Sequence, residues 1–145
     1  MTDLPQLFSD LVRLEIELFE GVDARLRRDV DLPMTSFEPM QVIARTPSCR
    51  VQDIARQLAI TVGGASKCVD RIEAAGHCAR RANPGDRRSS IVELTGSGAA
   101  LLREATVSFE DELQRRLGAA VPAAALDALA TTIAALRAAS PERTP

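Results

Sequence analysis

Lys67 and Arg71, four residues apart, and the adjacent pair Arg87 and Arg88 beside Asp86 are the side chains whose types and spacing best suggest a chemistry. Ammonium and guanidinium groups bind phosphate oxygens and, inside a groove, base edges, so such a set suits a polyanion. Charge distribution agrees. The chain carries −2 overall, but Arg50 to Ser90 holds eight basic and four acidic residues, a local +4 that leaves −6 on the flanks. A basic centre between acidic arms is what a polyanion-binding surface requires. Alone, "DRR" at 86–88 reads as a solvated hairpin tip; beside a helix bearing Lys67 and Arg71 the binding role is preferred.

Other chemistries find few residues. His77 is the single histidine and has no nucleophile partner, and "GSG" at 96–98 reads as a helix start, not a phosphate cradle. No catalytic residue, metal ligand or cofactor is assigned, and an enzyme is not expected. Cys49, Cys68 and Cys78 are odd in number, without CxxC spacing. Free thiols are expected, with Cys68 and Cys78 as buried small apolar filler; oxidation of Cys68 is the alternative role. No signal-peptide pattern opens the sequence, and no apolar run approaches the roughly 20 residues of a membrane span. A cytoplasmic setting without a membrane partner is expected.

The elements that would hold these residues are mostly helical. Of 145 residues, none is Trp or Tyr and four are Phe, so the core must be Leu, Ile, Val and Ala. A first helix, capped near Asp3 with Pro5 in its first turn, carries apolar residues at helical spacing from Leu4 to Leu26 and ends near 29–33. A second, from Thr35 or Ser36 to Thr46–Pro47, turns Phe37, Met40 and Ile43 inward. A short third helix over 51–58 and a fourth capped by Thr61 make a helix-turn-helix. The fourth should bury Ala65, Val69 and Ile72 and stop at Gly76. Gly63 and Gly64 in its first turn each cost about 0.5–1 kcal/mol relative to alanine. Either they let another molecule approach the backbone, or they belong to the turn and the helix begins later.

Residues 78–82 and 89–94 read as a hairpin around "NPGDRR", with Ser90, Val92 and Leu94 on one face. Thr95 can cap a long helix to about Ala119 with Leu102, Ala105, Phe109, Leu113 and Leu117 on its stripe. A last helix from Pro122 places Leu126, Leu129, Ile133 and Leu136 3, 4 and 3 apart, a coiled-coil-like seam. The fold class is mainly α with a small β-hairpin wing. Expected domains are an N-terminal dimerisation helix (1–33), a winged helix-turn-helix lobe (34–95), C-terminal dimerisation helices (96–140) and a tail (141–145).

The stretch "VQDIARQLAITVGGASKCVDRIEAAGHCARRANPGDRRSSIVELTGSG", residues 51–98, resembles the MarR family of bacterial transcriptional regulators. The string "DRIEAAG", then Arg81, then "DRRSSIVELT" and Gly98 is its most specific part. The resemblance implies a homodimeric repressor on a pseudo-palindromic operator in double-stranded DNA, with recognition helices in successive major grooves and wings in flanking minor grooves. Thr61, Val62, Gly63, Gly64, Ser66, Lys67 and Arg71 would then meet the major groove. Asp86 looks like the acid tying the wing to a nearby arginine, and Arg88, with Arg87, like the minor-groove contact. Family members often release DNA on binding a small aromatic or phenolic molecule; Leu11, Leu14, Phe37, Met40 and Phe109 are the candidates to line that pocket. Leu7, Leu11, Leu113, Leu117, Leu129, Ile133 and Leu136 are the candidate dimer contacts. The family's oxidant sensing through a first-helix cysteine with tyrosines does not carry over, since both are missing here. The competing class is a winged-helix protein-interaction module that has lost DNA binding.

Overall fold

In the computed structural model, which describes residues 1–140, the sequence of elements is four helices, a hairpin and two further helices. They are α1 (Leu4–Val30), α2 (Met34–Arg45), α3 (Val51–Leu58), α4 (Val62–Ala74), β1 (Cys78–Ala82), β2 (Ser90–Leu94), α5 (Gly96–Leu113) and α6 (Ala123–Ala139). Among the described residues no single helix is long and apolar enough to cross a membrane. The chain divides into two compact units, one ending at Phe109 and one beginning at Glu110. The expected tail at 141–145 lies outside the described residues.

The helix boundaries follow local chemistry. Asp3 caps α1 by accepting the Gln6 N–H at 3.2 Å, and Arg27 and Arg28 in its last turn face the negative end of the helix dipole. α2 begins at Met34, one or two residues before the expected start at Thr35 or Ser36, behind a proline that has no capping side chain. The cap comes from α1: Asp23 Oδ1 accepts the Met34 N–H at 2.8 Å. Burial opposes ionisation of Asp23, yet this bond and Arg27 together hold its carboxyl below the usual range.

Within the first unit the core gathers around Phe37, Met40, Ile54, Val69 and Ile72, all essentially inaccessible. The rings of Phe37 and Phe109 meet at 4.9 Å between centroids. Only the C-terminal end of the α1 stripe enters this core, through Val22 and Leu26. Leu4, Leu7, Leu11 and Leu14 on the same stripe stay exposed.

β1 and β2 pair antiparallel with Cys78 opposite Leu94 and Ala82 opposite Ser90. Simple alternation on β2 fails, because Ile91 and Val92 are both buried. The cause is tertiary: the Val92 N–H donates to the Cys49 carbonyl at 2.7 Å, so the α2–α3 connection flanks β2 on its other edge. The α4–β1 turn bends at Gly76, whose φ of +80° favours glycine. Thr95 locks it to α5 by donating its hydroxyl to the Gly76 carbonyl at 2.6 Å while accepting the Gly98 N–H at 3.1 Å. A Cβ on Gly98 would fall 1.9 Å from the His77 carbonyl oxygen, so only glycine fits there.

In the second unit the long fifth helix does not continue as α-helix to Ala119. It gives way at Leu113 to a π-helical segment, Gln114–Gly118. Glu112 is buried between Arg115 and Arg116, whose guanidinium groups hold its carboxyl down at about 2.

Candidate nucleic-acid interface

α4 starts at Val62, so Gly63 and Gly64 are helical residues and not part of the turn. Thr61 supplies the cap, its Oγ1 accepting the Gly64 N–H at 3.0 Å. Ala65, Val69 and Ile72 face the core as their spacing predicts. The opposite face presents Thr61, Val62, Gly63, Lys67 and Arg71 to solvent, with Gly64 and Ser66 partly covered. Val62 is a large apolar side chain that is 54% exposed.

The wing tip is built by small polar bonds. Asn83 Oδ1 accepts the Gly85 N–H at 3.0 Å and Asn83 Nδ2 donates to Ser89 Oγ at 3.1 Å. Asp86 acts differently from the expectation drawn from resemblance. Its Oδ1 accepts the backbone N–H of Arg88 at 2.9 Å, and among the described residues it pairs with no arginine side chain. A carboxylate two residues before a backbone donor closes an Asx-type turn more readily than it reaches across the fold. Asp86 therefore fixes the backbone from which Arg87 and Arg88 project.

The eight cations between Arg50 and Ser90 separate into two groups. Arg50 and Arg56 contact Asp53 at 3.7 and 2.8 Å, Arg81 contacts Glu93 at 2.8 Å, and Arg80 contacts both Asp70 and Glu73. Lys67, Arg71, Arg87 and Arg88 have no carboxylate partner among the described residues, and all four are exposed. Two lie on α4 and two at the wing tip. Between them runs an open groove of about 240 Å³, bordered by Arg50 and Val51 at the start of α3, Val62 and Ser66 on α4, and Arg80, Arg88 and Ser90 on the hairpin. In the sequence Arg50 and Arg80 are legible only as charges, because their places beside the groove depend on through-space packing.

Cys68 is not buried filler. It is partly exposed on α4, and Arg71 Nη2 lies 3.4 Å from its sulfur. Cys78 and Cys49 are buried, and desolvation pushes both thiols up to about 11, away from the reactive thiolate.

The five candidate effector residues do not assemble into one cavity. Phe37 and Met40 are fully buried, and the Phe37 ring packs against Phe109. Leu11 and Leu14 lie on the exposed part of α1, each 43% accessible. Of the candidate dimer contacts, Leu7, Leu11, Leu129, Ile133 and Leu136 are exposed, whereas Leu113 and Leu117 are partly covered.

Residues 32–90 match the family model of the MarR family. No curated protein sequence matches the chain. Among solved structures, the fold is similar to a MarR family transcriptional regulator from Streptomyces coelicolor in complex with DNA, with a TM-score of 0.87 and 22% identity over 99% of this chain and 93% of that one. It is similar to the transcriptional repressor CouR bound to a 23-mer DNA duplex, at 0.76 and 27% over 94% and 99%. CouR from Rhodococcus jostii RHA1 bound to p-coumaroyl-CoA matches at 0.78 and 17%, over 92% of each chain. Over residues 32–90 the winged helix-turn-helix of this chain is similar to the MarR family of transcriptional regulators.

Proposed function

We propose that the chain is a homodimeric, ligand-responsive repressor that binds a pseudo-palindromic operator in double-stranded DNA and acts in the cytoplasm. The observation that carries this is the distribution of charge: the four cations left unpaired are two on the exposed face of α4 and two at the wing tip. A helix and a hairpin separated by a groove, each offering unpaired cations, suit a major groove and the adjacent minor groove. Thr61, Val62, Gly63, Gly64, Ser66, Lys67 and Arg71 are proposed for the first, and Arg87 and Arg88 for the second. Asp86 contributes by holding the wing backbone. Similar proteins have been solved in complex with DNA, which supports a DNA-binding role.

The dimer is proposed on the apolar residues that α1 and α6 leave exposed, and the repressor role on family resemblance. An aromatic or phenolic effector is proposed because CouR has been solved with p-coumaroyl-CoA. With Phe37 and Met40 sealed in the core, its site requires a rearrangement of the Phe37–Phe109 contact or lies elsewhere. Domain roles are proposed as 34–95 for DNA and 1–33 with 96–140 for dimerisation.

Fluorescence anisotropy tests the proposal, using duplex DNA from immediately upstream of the coding region across a salt series. Saturable binding that exceeds random duplex and falls steeply with salt is expected. Absence of binding to any duplex at low salt would favour the protein-interaction module.

A further inference from the structure

We propose that Arg80 is a positioning residue that sets the spacing between α4 and the wing, and thereby fixes which two grooves of a duplex the protein engages together. The inference rests on the DNA-binding function proposed above and adds to it a determinant of specificity that touches no base. Arg80 Nη2 donates to Asp70 Oδ1 at 2.7 Å and Nη1 donates to Glu73 Oε1 at 3.0 Å. The Arg80 backbone N–H donates to Glu73 Oε2 at 2.9 Å. Asp70 and Glu73 stand one helical turn apart on α4, so both carboxylates meet the planar guanidinium fork from one side.

The residues joined are the ones that matter for geometry. α4 also carries Lys67 and Arg71, and Arg80 sits in β1 opposite Val92, on the hairpin that ends in Arg87 and Arg88. A two-stranded ribbon of five-residue strands has little rigidity of its own. The bond from Val92 to Cys49 anchors its base to the α2–α3 connection, and Arg80 supplies the charged tie to α4. A guanidinium is suited to this task because its donors are fixed in a plane, unlike the point charge of lysine.

A competing role exists, because Arg80 borders the same groove as Arg88. If Arg80 contacted a DNA phosphate, removing it would flatten the salt dependence by about one unit. Removing Asp70 and Glu73 would then strengthen binding, since two negative charges would leave the interface. A positioning role gives the opposite signs, because the Arg80 charge is already engaged by carboxylates.

The experiment uses the full chain, a duplex enriched by the parent protein from a randomised library, and a scrambled duplex of the same composition. Arg80→Met removes the fork and keeps the stem. Asp70→Ala with Glu73→Ala removes the acceptors from a helix face where alanine is well tolerated, and decides the matter if Arg80→Met melts. In both variants the preference for the enriched over the scrambled duplex is expected to fall about tenfold. On the scrambled duplex, where the wing makes no specific docking, the salt slope of Arg80→Met should equal that of the parent. Adding Arg88→Ala to Arg80→Met should cost much less than in the parent, because a misplaced wing no longer reaches its groove. An unchanged preference in folded variants would overturn the inference and leave the DNA-binding function standing, as would a slope lowered by one unit with preference intact. Failure of the parent to enrich any duplex would overturn both.

Discussion

Gly63 and Gly64 are neighbours in one helical turn yet answer to different constraints. A Cβ on Gly64 would lie 3.1 Å from Thr61 Oγ1, the atom that caps the helix, whereas a Cβ on Gly63 would meet nothing within 4 Å. The fold of the chain therefore gives no reason for glycine at 63. Gly63→Ala is expected to stabilise the protein by about 0.5–1 kcal/mol, read by urea unfolding, while weakening duplex binding by crowding the face that α4 presents. If it binds duplex as the parent does, close approach at this position is excluded. Arg88→Ala should lose roughly 1–3 kcal/mol on the enriched duplex, with relaxed preference where the wing docks. Lys67→Ala, if it meets a phosphate, should weaken all duplexes alike and lower the salt slope by about one unit. The Thr61 cap and the buried Ala65, Val69 and Ile72 were readable from spacing alone, because each depends on residues within one or two turns. The pairing of Arg80 was not, since seven and ten positions separate it from its acids and only the α4–β1 bend brings them together.

At the scale of elements, the joint between α1 and α5 gives a pH dependence whose sign can be worked out. Ser108, buried on α5, donates its hydroxyl to Asp29 Oδ2 at the end of α1 at 2.8 Å, and Arg25 pairs with the same carboxylate. The Arg25 and Ser108 hydrogen bonds hold Asp29 down at about 2. Its unfolded value is about 3.9, so the folded state binds protons less readily. The stabilisation is thus complete above about pH 4 and is lost as pH falls through about 2. Urea midpoints collected across that window should fall less steeply with acid in Asp29→Asn than in the parent; parallel curves would show that the ion pair does not survive in solution. Element boundaries such as 51–58 for α3 were legible because a short apolar face is bracketed by turn residues. The π-helical segment after Leu113 and the doubly buried β2 were not, as both depend on neighbours distant in sequence.

The whole molecule leaves much apolar surface uncovered in one chain. On α6 only Leu126 is even partly covered; Leu129, Ile133 and Leu136 are 40%, 43% and 59% exposed. On α1, Leu4, Leu7, Phe8 and Leu11 are exposed as well. Scattered apolar residues on a surface need no explanation, but a repeated 3, 4, 3 spacing on one helix makes a continuous seam. Water contact along such a seam is unfavourable, and a second copy of the chain would relieve it on both protomers at once. Ile133→Glu with Leu136→Glu should therefore yield a folded monomer, measured by sedimentation equilibrium, because neither side chain belongs to the core of its own chain. In the proposed dimer, a helix-turn-helix lobe that loses its symmetric partner would reach one half-site in place of two. The same variant should then lose most of its affinity for a two-half-site duplex while retaining weak, salt-sensitive binding to any DNA. A variant that stays dimeric would move the interface away from the α6 seam, and a monomer that still binds the two-half-site duplex tightly would remove dimerisation from the recognition mechanism.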